Sequence, residues 1–517
     1  MTVTDAIYPG IYNAAVDMID RHVDEGRGAQ PAFIDAHGVQ TYAELAADCN
    51  RMANLLAASG IGRECRVALL LPDTRTFPVA FWGAIKAGVV PVALNTLLTT
   101  DQYAYILADS RARALIVSAA LLPVVLPILA DLPFLTHLFV ADGAAPDLAR
   151  NFADDLASQS STFRRCATAA DETAFWLYSS GSTGMPKGVR HVHTSPMETA
   201  RLYGQGILGI RQEDVCFSAA KLFFAYGLGN GMSFPLSVGA ATVLLAERPT
   251  PETVFLTLRA HQPTIFFGVP TLYAAMLAHP GAGPELSSSR LRLCVSAGEA
   301  LPAEVGLAWK RRFGIDILDG VGSTEMLHIY VSNRPGDVAY GSSGRPVPGY
   351  TIRLVDEAGA GVADGEVGEM LVEGSTAADG YWNQRRKSRS TFEGHWTRTG
   401  DKYTRSAEGI YTYQGRTDDM FKVSGIWVSP FEVESALIGH EAVLEAAVVP
   451  CEDADGLLKP KAVVVLKPGG RATDGLVAAL QDHVKAKTGP WKYPRWVEFA
   501  DALPKTATGK IQRYKLR

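Results

Sequence analysis

The densest concentration of chemistry in this sequence is the stretch Tyr178-Ser-Ser-Gly-Ser-Thr-Gly-Met-Pro-Lys-Gly188. Glycines at 181, 184 and 188 let the backbone approach a ligand closely. Ser179, Ser180, Ser182 and Thr183 supply hydroxyls, and Lys187 supplies a cation. Successive backbone N–H groups in such a loop form a nest suited to phosphates. It is not a Walker A loop, because Lys187 is followed by Gly188 and the glycine spacing differs. A Gly/Ser/Thr cluster is ordinarily a surface hairpin. The packing of hydroxyls, glycines and one lysine into so short a segment argues for a phosphate site. A second concentration, Lys221-Leu-Phe-Phe-Ala-Tyr-Gly-Leu-Gly-Asn230, is rich in aromatics and glycine, and by composition alone it favours a core strand. Taken singly, Asp401 after Thr399-Gly400 is a turn residue and Lys510 a solvated lysine.

The elements that must position these residues are legible from periodicity. Short apolar runs alternate with longer helical patterns, the mark of parallel sheets with crossover helices. Buried strands are expected at Val67 to Leu71, Ala114 to Val117, Ala241 to Leu245, Thr264 to Phe267 and Arg292 to Ser296. A helix is expected over Thr76 to Ala87, stopped by Gly88. The apolar stretch from Ala114 to Ala130 contains Pro123 and Pro127 and reads as a strand followed by a helix, too short to span a membrane. Ser195-Pro196 has the pattern of a helix N-cap with proline at the first helical position, and His193 beside it suits a capping role.

After Gly341-Ser-Ser-Gly-Arg-Pro346 the texture changes to alternation and turns, with hairpins expected at Asp364-Gly365 and Glu408-Gly409. Beyond Asp418 the pattern restarts: a helix over Phe431 to Ile438, strands over Ala446 to Val449 and Ala462 to Leu466, and a helix over Leu476 to Ala486. The fold class expected is α/β, with a large N-terminal domain (1–417) of parallel-rich sheets, crossover helices and a β-rich subdomain. A small mobile α+β C-terminal domain (418–517) follows.

Composition sets the outer limits. At 517 residues, two or more domains are expected. A net charge of −5 gives no electrostatic reason for nucleic acid or an anionic membrane as partner, so a polyanionic ligand needs a local site. The 6 cysteines show no metal-ligand spacing, and the N-terminus lacks a signal-peptide pattern, so a soluble cytoplasmic protein is expected.

Several motifs occur in one order along the chain: the loop at 178–188, Ala297-Gly298-Glu299-Ala300-Leu301, Asp319-Gly320-Val321-Gly322-Ser323-Thr324-Glu325, Thr399-Gly400-Asp401, Gly415-Arg416-Thr417-Asp418-Asp419 and Pro504-Lys505-Thr506-Ala507-Thr508-Gly509-Lys510. In that order they resemble the adenylate-forming superfamily of acyl-CoA synthetases, peptide-synthetase adenylation domains and luciferases, over essentially the whole chain. "KLFFAYGLGN" and "GSTEMLHIY" look most like benzoate-CoA ligases and their hydroxybenzoate-activating relatives.

The resemblance implies that an aryl acid, ATP and coenzyme A are converted to aryl-CoA, AMP and diphosphate through an acyl-adenylate. It implies ATP contacts by the 178–188 loop, with Thr183 and Thr324 near phosphate oxygens, and by Ala297 to Ala300 at the adenine. It extends those contacts to Asp319 through Ser323, Asp401 and Arg416 at the ribose, and Tyr413 near it. Glu325 would hold Mg²⁺, and Lys510 would bridge the carboxylate and the phosphate. Phe224, Ala225, Tyr226 and Gly227 would wall the acyl pocket opposite Leu327 and His328, with His328 either bonding a ring substituent or merely packing. Asp418 would be the hinge about which the small domain turns, bringing Lys422, Ser424, Gly425 and Ile426 to a pantetheine tunnel. A monomer or homodimer is expected. Two other readings stay open: an enzyme that loads the acyl group onto a carrier protein, and a non-catalytic nucleotide-binding protein.

Overall fold

The computed structural model describes residues 10–181, 184–417, 419–423, 426–453, 457–489, 492–505 and 511–516. Among them, two large sheets form the body of the N-terminal region. One runs, edge to edge, through Gly380–Tyr381, Gly184–Val192, Thr173–Gly181, Val90–Ala93, Arg66–Leu70, Ala114–Val117, His137–Val140 and Arg150–Asn151. It is parallel from Thr173–Gly181 onward and antiparallel at the other edge, where Thr173–Gly181 folds back into Gly184–Val192. The other sheet has a parallel centre of Pro31–Asp35, Ala241–Val243, Val215–Ser218, Ile265–Gly268, Leu293–Ser296 and Ile317–Gly322. Ile329–Ser332 returns antiparallel against Ile317–Gly322.

The expected strands are present with slightly shifted ends, because a strand stops where its ladder does. Ala241–Val243 is shorter than the run to Leu245, since Leu244 and Leu245 lie past its last ladder pair. The helix Thr76–Lys86 is buried on every side from Phe77 to Lys86, which is why its sequence shows no polar face. Gly88, at φ +73°, ends it as expected.

Three local expectations need correction. The segment after Ala114–Val117 is two short pieces, Leu122–Val125 and the 3₁₀ turn Leu126–Asp131, because each proline removes a helical N–H donor. Ser195 is the first residue of the helix Ser195–Thr199 and not its cap; Thr194 holds the cap position with helical dihedrals and no side-chain bond. His193 instead accepts the Ala14 N–H at Nδ1, at 3.2 Å. The aromatic segment is no strand: Ala225–Leu228 is helical and continues through a π-turn, Gly229–Ser233, into Phe234–Val238. Gly227 explains the choice, since a Cβ there would collide with the carbonyl oxygen of Lys221.

The antiparallel sheet of Thr351–Val355, Gly368–Glu373, Trp396–Arg405, Phe392–Glu393 and Tyr411–Arg416 forms the β-rich part. The C-terminal domain has a separate sheet, Val443–Glu452, Leu458–Leu466 and Trp496–Phe499, covered by Pro430–Ile438 and Asp474–Thr488 around a core of Val433, Leu437, Val448, Val464 and Leu480. Among the described residues no helix is long and apolar enough to cross a membrane.

Candidate active site

The residues of the glycine-rich loop lie at the end of a β-hairpin. Thr173–Gly181 and Gly184–Val192 pair with Ser179 opposite Lys187 and Gly181 opposite Gly184. Ser182 and Thr183, at the tip, lie outside the described residues, as does the side chain of Ser180. The Ser179 hydroxyl is buried without a hydrogen-bond partner among the described residues, which suits a group awaiting a ligand oxygen. Lys187 is buried, and its ammonium lies 3.7 Å from Glu325 Oε1. Burial pulls its pKa down, Glu325 opposes this, and the charges of Lys387 and Arg416 act with burial.

Glu325 sits on a tight loop between two antiparallel strands, where Gly322 pairs with Ile329. A Cβ on Gly322 would lie 2.5 Å from the His328 carbonyl oxygen, so only glycine lets the chain fold back so closely. The loop is pinned at consecutive peptides. His191 Nε2 donates to the Thr324 carbonyl at 2.9 Å, the Ala378 N–H to the Glu325 carbonyl at 2.8 Å, and the Thr376 hydroxyl to the Met326 carbonyl at 2.8 Å. Leu327 takes φ +66°, a left-handed conformation unusual for a branched side chain. Such strain persists only where the surroundings over-determine it. Here the same loop that offers Glu325 turns Leu327 into the apolar cluster holding Phe224 and Ala225.

Next to it, His328 is enclosed by Tyr203, Tyr226 and Phe234, with ring centroids 5.5, 5.5 and 4.4 Å away. Burial pushes its pKa down to about 3, so the ring is neutral. Its Nε2 faces two acceptors, the Tyr226 carbonyl at 3.2 Å and Asn230 Oδ1 at 3.1 Å, so Nε2 carries the proton. Nδ1 is left as an acceptor without a partner among the described residues. The Tyr226 hydroxyl bonds the carbonyls of Gly268 and Val295, both at 3.2 Å, which fixes its ring against the sheet ends.

Those sheet ends carry the turn for which the resemblance implied adenine contacts. Ala297 and Gly298 follow the strand Leu293–Ser296, and Gly298 adopts φ +96°. Asp319, on the neighbouring strand, is buried, and burial raises its carboxyl pKa well above the usual range. Its Oδ1 has no partner among the described residues. On the β-rich part, Asp401 and Arg416 are register partners, and Arg416 Nη1 bonds Asp401 Oδ1 and the Thr399 carbonyl, each at 2.9 Å. Arg416 also acts electrostatically on Lys187, so the two pairs share one field. Tyr413 packs edge-on against Tyr403 and against Phe431 of the C-terminal domain, at 5.5 and 5.3 Å, and burial raises its pKa.

Asp418, Ser424, Gly425 and Lys510 lie outside the described residues. Lys422 and Ile426 fall in the paired strands Phe421–Val423 and Ile426–Val428, with only their backbone described. The base of the segment that includes Lys510 is described: Lys505 bridges to Ile511, and the Lys505 ammonium bonds Glu445 at 2.7 Å. Sequence reasoning missed Tyr381, whose hydroxyl donates to Glu325 Oε1 at 2.8 Å. No periodicity links residues 56 positions apart; the pairing of Gly380–Tyr381 with Gly184–Val192 and the bonds from Thr376 and Ala378 to the Glu325 loop bring them together.

A glycine-rich hairpin, the Glu325 loop beside it and an Asp–Arg pair whose charge reaches Lys187, on a two-sheet body with a separate small domain, define the class. The chain matches the AMP-binding enzyme family over residues 19–382 and the AMP-binding enzyme C-terminal domain over residues 432–510, and it belongs to this adenylate-forming family. Among its relatives it is 58% identical to a 4-hydroxybenzoate–CoA/benzoate–CoA ligase of Rhodopseudomonas palustris, over 98% of this chain and 94% of the other. It is similar in structure to a benzoate CoA ligase of Burkholderia xenovorans LB400, with TM-score 0.92 and 50% identity over 98% of this chain and 100% of that one. An anthranilate CoA ligase solved with anthranoyl-AMP superposes with TM-score 0.96 at 43% identity, covering 100% of this chain and 98% of the other.

Proposed function

We propose that this chain is an AMP-forming aryl-CoA ligase that activates benzoate or a small ring-substituted benzoate and passes it to coenzyme A. The observation that carries this reading is that one short loop holds both halves of the chemistry. Glu325 faces the phosphate hairpin, and two residues on, Leu327 and His328 join the aromatic wall of Phe224, Ala225 and Tyr226. A carboxylate seated against that wall lies beside the phosphates it must attack.

Two anions meet in the first step, so the site must supply positive charge already in place. Lys187 stands on the phosphate side, and Arg416 with Asp401 fits the two ribose hydroxyls, orienting the α-phosphorus. Lys510 is the residue assigned to the attacking carboxylate and the phosphate together. The donor set suits Mg²⁺, which takes one or two carboxylates and completes its shell with phosphate and water oxygens. Glu325 would hold it. When bound, the ion neutralises phosphate charge as diphosphate leaves.

In the second step the CoA sulfur attacks the acyl carbonyl and AMP leaves. Lys510 then stands in the approach, and a turn of the C-terminal domain about Asp418 removes it and brings Lys422, Ser424, Gly425 and Ile426 to the pantetheine. The unit 418–517 moves as one domain against 1–417. The purified protein given ATP, Mg²⁺, CoA and benzoate should yield benzoyl-CoA and AMP, read by mass spectrometry. Release of diphosphate without any thioester would point instead to a carrier-protein acceptor. No diphosphate with any aryl acid would refute the reading.

A further inference from the structure

Lys187 and Glu325 face each other across a gap. Elsewhere in the protein the partly buried lysine–carboxylate pairs span a range: Lys86 with Asp20 closes to 2.7 Å, while Lys459 with Asp453 stands at 3.8 Å. Here the ammonium and the carboxylate stand 3.7 Å apart, although attraction in a buried setting should draw them together. The Tyr381 hydroxyl stands beside the pair, within hydrogen-bond reach of both charges. It donates to Glu325 Oε1 at 2.8 Å and accepts from Lys187 Nζ at 3.4 Å, and the ammonium sits 4.4 Å from the ring centroid. An ammonium over an aromatic face is attracted by the ring quadrupole, so the ring holds the cation without consuming its hydrogen-bond donors.

Tyr381 has little freedom to do otherwise. It is 5% exposed, its backbone pairs with Val189 of the phosphate hairpin, and its N–H donates to Ser388 Oγ at 3.0 Å. Its ring rests on Phe392 at 5.4 Å. The phenol is therefore fixed to the hairpin that carries Lys187, while its hydroxyl reaches across to the loop that carries Glu325.

We propose that Tyr381 is a positioning residue that engages Glu325 Oε1 and keeps Lys187 and Glu325 short of direct hydrogen-bonding contact, so that one is presented to the phosphates and the other to the metal. This rests on the assignment of Glu325 to Mg²⁺ and of Lys187 to phosphate. A direct ion pair would have to be broken each time Mg·ATP bound, whereas the spaced arrangement leaves both charges oriented before it arrives. Removing the hydroxyl alone lets the pair close, and the cost then falls on metal–nucleotide binding, not on the aryl acid.

The test is Tyr381→Phe in the full-length protein, with Mn²⁺ as the probe, titrated by electron paramagnetic resonance in the presence of a non-hydrolysable ATP analogue and no aryl acid. Loss of one hydrogen bond to a charged group should weaken Mn²⁺–nucleotide binding about tenfold. The KM for Mg·ATP should rise while the KM for benzoate stays at the wild-type value. Thioester formation from supplied benzoyl-adenylate should be unchanged, which certifies that the variant is folded. Glu325→Gln serves as the reference. If Glu325→Gln weakens Mn²⁺ binding and Tyr381→Phe does not, the positioning role is refuted and the metal assignment stands. If neither does, the metal assignment fails and the positioning role fails with it.

Discussion

The Asp401–Arg416 pair permits a test in which the substrate is altered together with the protein. Arg416 occupies Asp401 Oδ1 from one side at 2.9 Å, and the carboxylate is only 13% exposed, so its remaining lone pairs face a confined space. If that space takes the ribose, two hydroxyls donate to an ionised acceptor. Hydrogen bonds to charged groups contribute about 1.5–3 kcal/mol and neutral ones about 0.5–1.5 kcal/mol. Asp401→Asn keeps the shape and an acceptor for Arg416 but removes the charge, so two such bonds should weaken by about 2–3 kcal/mol together, roughly a 30- to 150-fold rise in the KM for ATP. The assay is diphosphate release with ATP, 2′-deoxy-ATP and 3′-deoxy-ATP in parallel. Wild type should discriminate against both deoxynucleotides, and the variant should discriminate far less, because the partner is already weakened. Equal discrimination by both proteins would show that Asp401 does not touch the ribose, whatever happened to the KM.

Lys510→Ala should slow adenylation by about 10²–10³, the scale for losing one preorganised charge donor, while thioester formation from supplied benzoyl-adenylate is much less affected; equal loss in both would contradict a lysine needed in one step only. Gly227→Ala puts a Cβ against the Lys221 carbonyl, and overpacking of about 1–3 kcal/mol should raise the KM for benzoate about 5- to 150-fold; an unchanged value would remove this turn from the aryl pocket. Acid should destabilise the protein. His22, His191 and His193 are held by burial at pKa about 4 and His328 at about 3, against 6.5 for an ordinary histidine. Below pH 6.5 the unfolded chain therefore binds protons that the native one refuses, and stability falls as pH drops, by about 2 kcal/mol per histidine at pH 5. Asp73, raised to about 6 by burial, titrates in the opposite sense and returns about 1 kcal/mol, and Asp20 and Asp319, also raised by burial, act in the same direction as Asp73. Urea denaturation from pH 7.5 to 5 should show a steep net loss, and a flat profile would contradict neutral buried imidazoles.

What the sequence made legible was whatever one local pattern determines. Strands such as Leu293–Ser296 and the buried helix Thr76–Lys86 follow from apolar runs and their stops. The glycine-rich stretch, by composition ordinarily a surface hairpin, does form one, Thr173–Gly181 with Gly184–Val192. Candidate residues that are neighbours in the chain, such as Glu325 with Leu327 and His328, were legible together as one motif. Residues that join the site from a distant strand were not: Tyr381 enters through a two-residue strand, and His191 and Thr376 grip the acidic loop through its carbonyls. The helix at Ala225–Leu228 was hidden for another reason, since aromatic and glycine content disfavours a helix that only tertiary packing rewards.

The contact of Tyr413 with Phe431 lies across the seam between the large body and the C-terminal domain, where Ile438 also rests on the cluster around Trp309 and Phe313. Apolar burial of this kind loses strength as water is cooled, and exposing it raises the heat capacity. If the small domain turns during the catalytic cycle, chilling should favour the parted arrangement over the one seen here, so the balance between the half-reactions becomes a thermometer for the seam.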